Sequence, residues 1–224
     1  MDDNPAWNEW LALVRRALSS RMVIPADQLL LARDLVGTAV RSLDPPEGVV
    51  PRHGAVLILL YPDGDDLRFP LTVRSERLPN HRGEVSLPGG AVEPSDADDA
   101  ATALRECREE LGIDTTDVLI LGTLRPIYIN PSNFLIVPVV GFRPEAPVFH
   151  PNGAEVSAVL TTTLRELLEP GLVITEQWTL RGREVMVPFY PIAHHKVWGA
   201  TALVLSELVA RIRRLQSAHQ EEIL

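Results

Sequence analysis

The sequence predicts a mixed α/β fold in which helices pack on a sheet. Apolar runs at residues 54–61 and 67–73 flank a turn rich in Asp and Gly, and this pattern is typical of a β-hairpin. Helical patterns follow at about residues 98–111 and 198–219. Strands and helices are thus mixed without a strict alternating repeat, which favours helices packed on a sheet.

The first 48 residues predict a helical extension. Between residues 5 and 19, apolar side chains recur at three- and four-residue spacing, which indicates an amphipathic helix. These side chains are Trp7, Trp10, Leu11, Val14 and Leu18. A second helical pattern covers about residues 25–43 and ends at the Pro- and Gly-containing segment 44–48. We expect both helices to pack on the chain's own core; the alternative is a membrane or partner surface.

The remaining residues, 49–224, are predicted to form the main domain. Beyond the hairpin and the two helices, this domain contains three further apolar segments with the length of a strand. They lie at residues 118–124, 134–142 and 156–161. The chain is therefore divided into an extension, 1–48, and one domain, 49–224.

Charge and cysteine content limit the classes of function. The net charge is −9 at pH 7, which opposes the phosphate-backbone attraction on which nucleic-acid binding rests. No apolar run approaches the ~20 residues of a membrane span. The chain opens with Asp2 and Asp3 instead of a basic region, so no secretion signal is expected. Cys107 is the only cysteine, which fits a reducing compartment, and the cytoplasm is the expected location.

Three glutamates crowd one side of the helix predicted at residues 98–111. At about 100° per residue, Glu106 and Glu110 lie one turn apart and Glu109 lies between them. Their repulsion destabilises an isolated helix, and a bound Mg²⁺ or Mn²⁺ would offset it because hard oxygen ligands suit these ions. The alternative is a solvated acidic face that pairs with Arg105 and Arg108.

The residues around this helix resemble the Nudix box, the signature of a family of diphosphate hydrolases. The matching positions are Gly90, Asp96, Arg105, Glu106, Glu109, Glu110, Gly112 and Ile113. Asp96 stands where the general box has Glu, and eight residues instead of seven separate it from Arg105. Both features are typical of one subfamily, the coenzyme A pyrophosphatases.

This resemblance implies a Nudix α/β/α sandwich with a mixed sheet and a site for Mg²⁺ or Mn²⁺. Glu106 and Glu110 would be the principal metal ligands and Glu109 a further one. Arg105 would orient a glutamate by a charge-assisted hydrogen bond, and Gly90 or its neighbour would bring a backbone carbonyl near the metal. The candidate catalytic residues are Arg105, Glu106, Glu109 and Glu110.

A second block, upstream of the box, narrows the range of expected substrates. The segment Leu71-Thr-Val-Arg-Ser leads through His81 into Leu87-Pro-Gly-Gly. It resembles the additional signature of the coenzyme A pyrophosphatases, with Leu87 in place of Phe. The resemblance implies that Arg74, Ser75 and His81 bind substrate, and arginine offers bidentate phosphate contacts and planar stacking. The alternative is an edge strand whose arginines pair with neighbouring glutamates.

A third segment, Asn-Gly-Ala-Glu-Val at residues 152–156, resembles a stretch that begins a strand in the same subfamily. Two interpretations of Glu155 are open: it approaches the metal site or acts as a base, or it caps a turn on the surface.

Together these resemblances imply metal-dependent hydrolysis of coenzyme A or acyl-CoA to 3′,5′-ADP and a 4′-phosphopantetheine compound. The substrate would be a small nucleotide, and the N-terminal helices leave a homodimer open. Two alternatives stand beside this function. One is a Nudix hydrolase of ADP-ribose, NADH or a modified nucleotide, and the other is a Nudix-fold module that binds nucleotides without cleaving them.

Overall fold

Helices and two sheets make up the part of the chain that the structure, a computed structural model, describes: residues 6–19, 22–76 and 83–221. The helices are α1 (Trp7–Ser19), α2 (Asp99–Leu111), α3 (Leu164–Leu168) and α4 (Gly199–Glu221). The first strands are β1 (Arg33–Asp34), β2 (Arg52–Asp63), β3 (Asp66–Arg74), β4 (Val85–Ser86), β5 (Gly89–Ala91) and β6 (Leu119–Thr123). The later strands are β7 (Ile127–Ile129), β8 (Phe134–Phe142), β9 (Val156–Thr163), β10 (Ile174–Leu180), β11 (Arg183–Ile192) and β12 (His195–Val197).

The larger sheet is mixed. Its order is β4-β3-β2-β8-β6, and the central strands β2 and β8 run parallel, in register from Arg52↔Phe134 to Leu60↔Phe142. The other pairings are antiparallel: β5 adds to β2, β7 adds to β8 and β9 adds to β3. The predicted hairpin is confirmed as β2 and β3, and the three predicted strands are confirmed as β6, β8 and β9.

The central strand β2 is buried on both faces because its alternate side chains face two helical layers. Leu57 and Leu59 pack with the apolar side of α2, including Cys107. Ile58 and Leu60 belong to the core that α1 and α4 share. Helices thus cover both faces of a mixed sheet, which is the predicted α/β/α sandwich.

The first predicted helix is confirmed as α1, but the second, at residues 25–43, is wrong. Arg33 and Asp34 form a strand instead, β1, which pairs with β11. The Asp34 carboxylate accepts hydrogen bonds from the backbone N–H groups of Val36, at 3.1 Å, and Thr38, at 2.8 Å, and so closes a turn. A side chain that bonds locally to the backbone competes with helix formation.

The N-terminal residues share the main core. Val14 and Ala17 of α1 are fully buried in the same cluster as Leu29 and Leu43. The boundary at residue 48 stays a prediction. Within residues 6–19, 22–76 and 83–221, no helix is long and apolar enough to cross a membrane.

The smaller sheet was not predicted. It consists of β1, β10, β11 and β12, and its central strand β11 pairs antiparallel with the other three. The turn between them contains Arg181 at φ 53° and Gly182 at φ 75°. Two successive positive φ angles match the twist of a two-residue hairpin turn, so Arg-Gly between two alternating segments was the missed signal.

The acidic helix α2 begins and ends at the predicted residues. The Asp98 side chain caps its start by accepting a hydrogen bond from the Ala101 N–H at 2.8 Å. Gly112 ends it in the left-handed region at φ 63°, and a Cβ at Gly112 would overlap the backbone of His150. The loop after residue 150 therefore lies directly on the C-terminal end of the helix.

Gly112→Ala should lower the free energy of unfolding by about 3 kcal/mol, because the new Cβ meets backbone in addition to occupying a positive φ. Urea denaturation measures this change. Gly64→Ala is the matched control, since Gly64 has φ 60° and open space around its Cβ position. The control should cost only about 1 kcal/mol. Equal losses in both variants would show that the contact with His150 is unimportant.

Candidate active site

Arg105 of α2 ties the glycine loop to the acidic helix. Its Nε and Nη2 donate to the two carboxylate oxygens of Asp96, each at 3.0 Å. Nη2 also donates to the Ala91 carbonyl at 2.8 Å, and Nη1 donates to Glu106 Oε1 at 2.9 Å. The guanidinium therefore makes the expected charge-assisted contact with a glutamate.

Asp96 is the anchor of this guanidinium. Its side chain is only 4% exposed, and Oδ2 also accepts from the Glu93 N–H and the Thr102 hydroxyl, each at 2.9 Å. The hydrogen bonds from Arg105, and then from Glu93, hold the pKa of Asp96 well below its usual range. Asp96 was not among the candidate site residues, although its place in the box was the signal that could have identified it.

Glu106 packs directly on the glycine loop. A Cβ at Gly90 would overlap the Glu106 carboxylate, and a Cβ at Gly89 would overlap the Ala55 carbonyl oxygen. Both glycines are therefore required for the close approach of β5 to its neighbours. Burial raises the pKa of Glu106, and the hydrogen bond from Arg105 opposes this shift. The carbonyl of Gly90 lies against Gly54, and its approach to a metal stays a prediction.

Glu110 is the buried carboxylate of the site. The residue is 5% exposed, and among the described residues its Oε2 atom is buried without a hydrogen-bond partner. Burial, followed by the charge of Glu106, raises the pKa of Glu110 to about 8, and the charge of Arg74 opposes this rise. A buried oxygen without a partner is costly unless a ligand or ion completes its bonding.

Glu109 lies at the rim. Its side chain is 54% exposed, and Arg105 Nη1 donates to it at 3.3 Å. In residues 6–19, 22–76 and 83–221, no three His, Cys, Asp or Glu side chains converge into a complete metal cage. Mg²⁺ usually takes one or two carboxylates and completes its shell with water and phosphate oxygens. Glu106 and Glu110 fit that requirement, and a ligand role of Glu109 stays a prediction.

Three segments that are distant in sequence meet at this site. The Ser75 N–H donates to the Glu155 carbonyl at 2.7 Å, and the Asn152 N–H donates to the Glu110 carbonyl at 2.9 Å. Glu155 is exposed at the end of a turn in which its N–H donates to the Asn152 carbonyl at 2.9 Å, and its charge contributes to the raised pKa of Glu110. Both interpretations of Glu155 therefore stay open.

Arg74 reaches the acidic cluster from the end of β3. Its charge acts on Glu110, and its Nε is buried without a hydrogen-bond partner in the part of the chain that the structure describes. Ser75, beside it, is buried. His81, the third residue expected to bind substrate, lies outside the described residues.

A small apolar cleft of about 170 Å³ adjoins the glycine loop. Sequence reasoning did not identify it, because its lining residues come mostly from four strands that only the fold brings together. Its lining includes Val56, Gly89, Gly90, Ile129, Phe134 and Ile136.

Comparison with known proteins agrees with this geometry. The family model of the NUDIX domain matches residues 51–181. The chain belongs to the Nudix family. The predicted family and its sandwich fold are therefore confirmed, and the acidic helix with its glycine loop is the Nudix box of this chain.

Several Nudix relatives are similar over most of the domain. The chain is 38% identical over 162 residues to "Nudix hydrolase 22, chloroplastic" of Arabidopsis thaliana, covering 69% of this chain and 53% of that protein. It is 36% identical over 164 residues to the uncharacterized Nudix hydrolase NudL of Photorhabdus laumondii, covering 72% and 86%. It is 38% identical over 133 residues to the mouse peroxisomal coenzyme A diphosphatase NUDT7, covering 59% and 56%. The chain thus spans about half the length of the plant and mouse relatives.

Gly90→Ala should weaken Mn²⁺ binding at least about tenfold, because its Cβ would displace the Glu106 carboxylate from the loop. Calorimetric titration of the metal-free protein measures the affinity. Gly153→Ala is the control, since a Cβ there meets nothing within 4 Å. Unchanged Mn²⁺ affinity in the Gly90 variant, with both proteins folded, would exclude a role for this packing.

The metal-free protein should lose stability as the pH rises. The folded-state pKa of Glu110, about 8, lies above its ordinary value of 4.5, so the folded state retains a proton that the unfolded state releases. Its contribution to stability is therefore complete below about pH 4.5 and is lost as the pH rises to about 8, with a slope of up to about 1.4 kcal/mol per unit.

Glu110→Gln removes this titration and should flatten the dependence. Urea denaturation in chelator at about pH 5 and about pH 8 tests the difference between the two proteins. A difference that does not change with pH would show that Glu110 titrates normally.

Proposed function

We propose that this Nudix protein hydrolyses the diphosphate linkage of coenzyme A or an acyl-CoA to 3′,5′-ADP and the corresponding 4′-phosphopantetheine compound. The observation that carries the proposal is the position of Arg74. The charge of this residue of the upstream block acts on Glu110 of the box, and its buried Nε has no protein partner among the described residues. A phosphate oxygen of the substrate would satisfy this N–H group.

The residues of the site have distinct roles in the proposed reaction. A divalent cation held by Glu106 and Glu110 would neutralise the diphosphate and lower the pKa of an attacking water. Arg105 fixes the Glu106 carboxylate, and Arg74 binds a phosphate oxygen next to Glu110. Glu155 is an exposed carboxylate at the rim, suited to receive the proton of the attacking water; Glu109 is the alternative.

Two further observations support a coenzyme A-like substrate. The mouse relative, 38% identical over 133 residues, is named a coenzyme A diphosphatase. The apolar cleft of about 170 Å³ beside the glycine loop suits the adenine ring or the pantetheine arm better than a further phosphate. The cytoplasmic location and a homodimer stay predictions, and the names of relatives include chloroplastic, mitochondrial and peroxisomal proteins.

Product analysis by mass spectrometry tests the substrate. The purified protein is incubated with Mg²⁺ or Mn²⁺ and equal amounts of coenzyme A, ADP-ribose, NADH and 8-oxo-dGTP. We expect 3′,5′-ADP and phosphopantetheine to dominate, and Glu110→Gln to reduce their formation at least about 1,000-fold. Preferred cleavage of ADP-ribose or NADH would leave only the general Nudix reaction. Tight nucleotide binding without metal-dependent products would favour the binding module.

Substitution of Arg74 in the same assay tests the role of the upstream block. Arg74→Gln should raise the KM for coenzyme A about 10- to 100-fold, because one buried charge-assisted contact is lost. Arg68→Gln is the control on the same strand, where the side chain pairs with Asp63 and lies away from the acidic cluster. Equal KM values for both variants would remove Arg74 from the substrate site.

A further inference from the structure

A second and larger cleft, of about 570 Å³, lies beside α4, away from the acidic helix. Its lining comes from α4, β11 and the chain around residues 28–30 and 173, and none of it belongs to α2, β5 or the Arg74 segment. Its volume is in the range of small-molecule sites, about 300–1,000 Å³. This cleft has no part in the proposed diphosphate hydrolysis.

The floor of the cleft is apolar with two buried hydroxyl groups. Leu30, Val173 and Val209 supply the apolar surface. Tyr190 is 2% exposed and Ser206 is 3% exposed. The Ser206 hydroxyl donates to the Leu203 carbonyl at 2.8 Å and accepts from the Leu30 N–H at 3.0 Å, which leaves one acceptor position.

Tyr190 lines the cleft, and its hydroxyl group can donate a hydrogen bond. Burial raises the pKa of Tyr190, and the nearby positive charge of Arg213 acts in the opposite direction. The phenol therefore keeps its proton at neutral pH. Among residues 6–19, 22–76 and 83–221, no hydrogen bond to this hydroxyl is present.

Two arginines on α4 form the rim. Arg213 Nη2 donates to the Leu168 carbonyl at 3.3 Å, and Arg214 Nη1 donates to the Val23 carbonyl at 3.1 Å. Neither pairs with a carboxylate in the described ranges. By contrast, Arg211 on the same helix bonds to the Glu207 carboxylate at 2.8 Å. The cleft therefore combines an apolar floor with positive charge that carbonyl groups do not neutralise.

We propose that this cleft binds a small amphipathic anion, an aliphatic carboxylate or phosphomonoester. Arg213 and Arg214 bind the anionic head, the Tyr190 hydroxyl donates to it, and Leu30, Val173 and Val209 contact the hydrocarbon chain.

The two arginines contrast with the charge of the whole protein. The chain carries a net charge of −9, so its overall field repels anions. Arg213 and Arg214, neither paired with a carboxylate of the described residues, place positive charge at the cleft, and the apolar floor favours the hydrocarbon chain by removing it from water. A purely apolar ligand would form no ion pair with the two arginines. Inorganic phosphate would leave the apolar floor exposed to water.

Calorimetry and ligand-detected NMR on the full, metal-free chain test the proposal with octanoate and octyl phosphate. Octanol lacks the charge and acetate lacks the chain. We expect saturable binding of at least one amphipathic anion with a Kd of about 1 mM or below, and at least tenfold weaker binding of octanol and acetate. The tighter of octanoate and octyl phosphate identifies the head group.

The variants separate the two parts of the cleft. Arg213→Gln with Arg214→Gln should weaken anion binding at least tenfold, whereas Arg15→Gln with Arg16→Gln, an exposed pair on α1 with the same change of charge, should not. Ala210→Trp fills the cleft and should abolish binding with both arginines in place. Absence of saturable binding below about 10 mM, octanol binding as tight as octanoate, or binding unchanged in the Arg213 and Arg214 variant would overturn the proposal.

Discussion

The guanidinium of Arg105 connects the loop and the helix on which the site is built. It bonds to both oxygens of Asp96, to the Ala91 carbonyl and to Glu106, so a single planar group fixes the loop, the strand β5 and a carboxylate of the helix together. A guanidinium has five N–H donors in a rigid fork, and an ammonium group cannot reproduce this geometry. The Asp96 carboxylate, in a loop one residue longer than that of the general box, is the anchor of this guanidinium.

That network stabilises Glu106 and Glu110 of the acidic helix unequally. Glu106 is stabilised by Arg105, whereas Glu110 is buried with one oxygen that has no partner among the described residues. One turn of helix thus carries a carboxylate that is held in place and another that protein groups leave incompletely bonded. Local destabilisation of this kind is expected where function opposes stability.

The sequence predicted the parts of the fold that depend on local patterns. The hairpin, β8, α2 and α4 were predicted because each is long and has a clear apolar period. The segment 25–43 was misread because tertiary packing buries Leu29 and Leu31 but leaves Leu35 exposed, while Asp34 bonds to the backbone of its own turn. The smaller sheet was missed although Arg181-Gly182 carried a turn signal.

In the site, too, contacts within a local motif could be predicted from the sequence, and contacts between distant segments could not. The contact of Arg105 with a glutamate was expected from the resemblance to the Nudix box, and the structure contains it at Glu106. The unpartnered oxygen of Glu110 and the link from Ser75 to Glu155 could not be predicted, because they depend on how three distant segments meet. Burial of a single atom is a property of the packed chain and leaves no local pattern.

Glycine at three neighbouring positions allows close packing between β2, β5 and the acidic helix. A Cβ at Gly54 would overlap the Gly90 carbonyl, a Cβ at Gly89 would overlap β2, and a Cβ at Gly90 would overlap Glu106. The acidic helix covers one face of the main sheet, whereas Val56 and Ile136 border the apolar cleft on the other. At the glycine loop no side chain separates β5 from β2 or from Glu106, because each added Cβ would overlap a neighbouring group. The glycines therefore set how closely the loop packs on β2 and on the Glu106 carboxylate of the acidic helix.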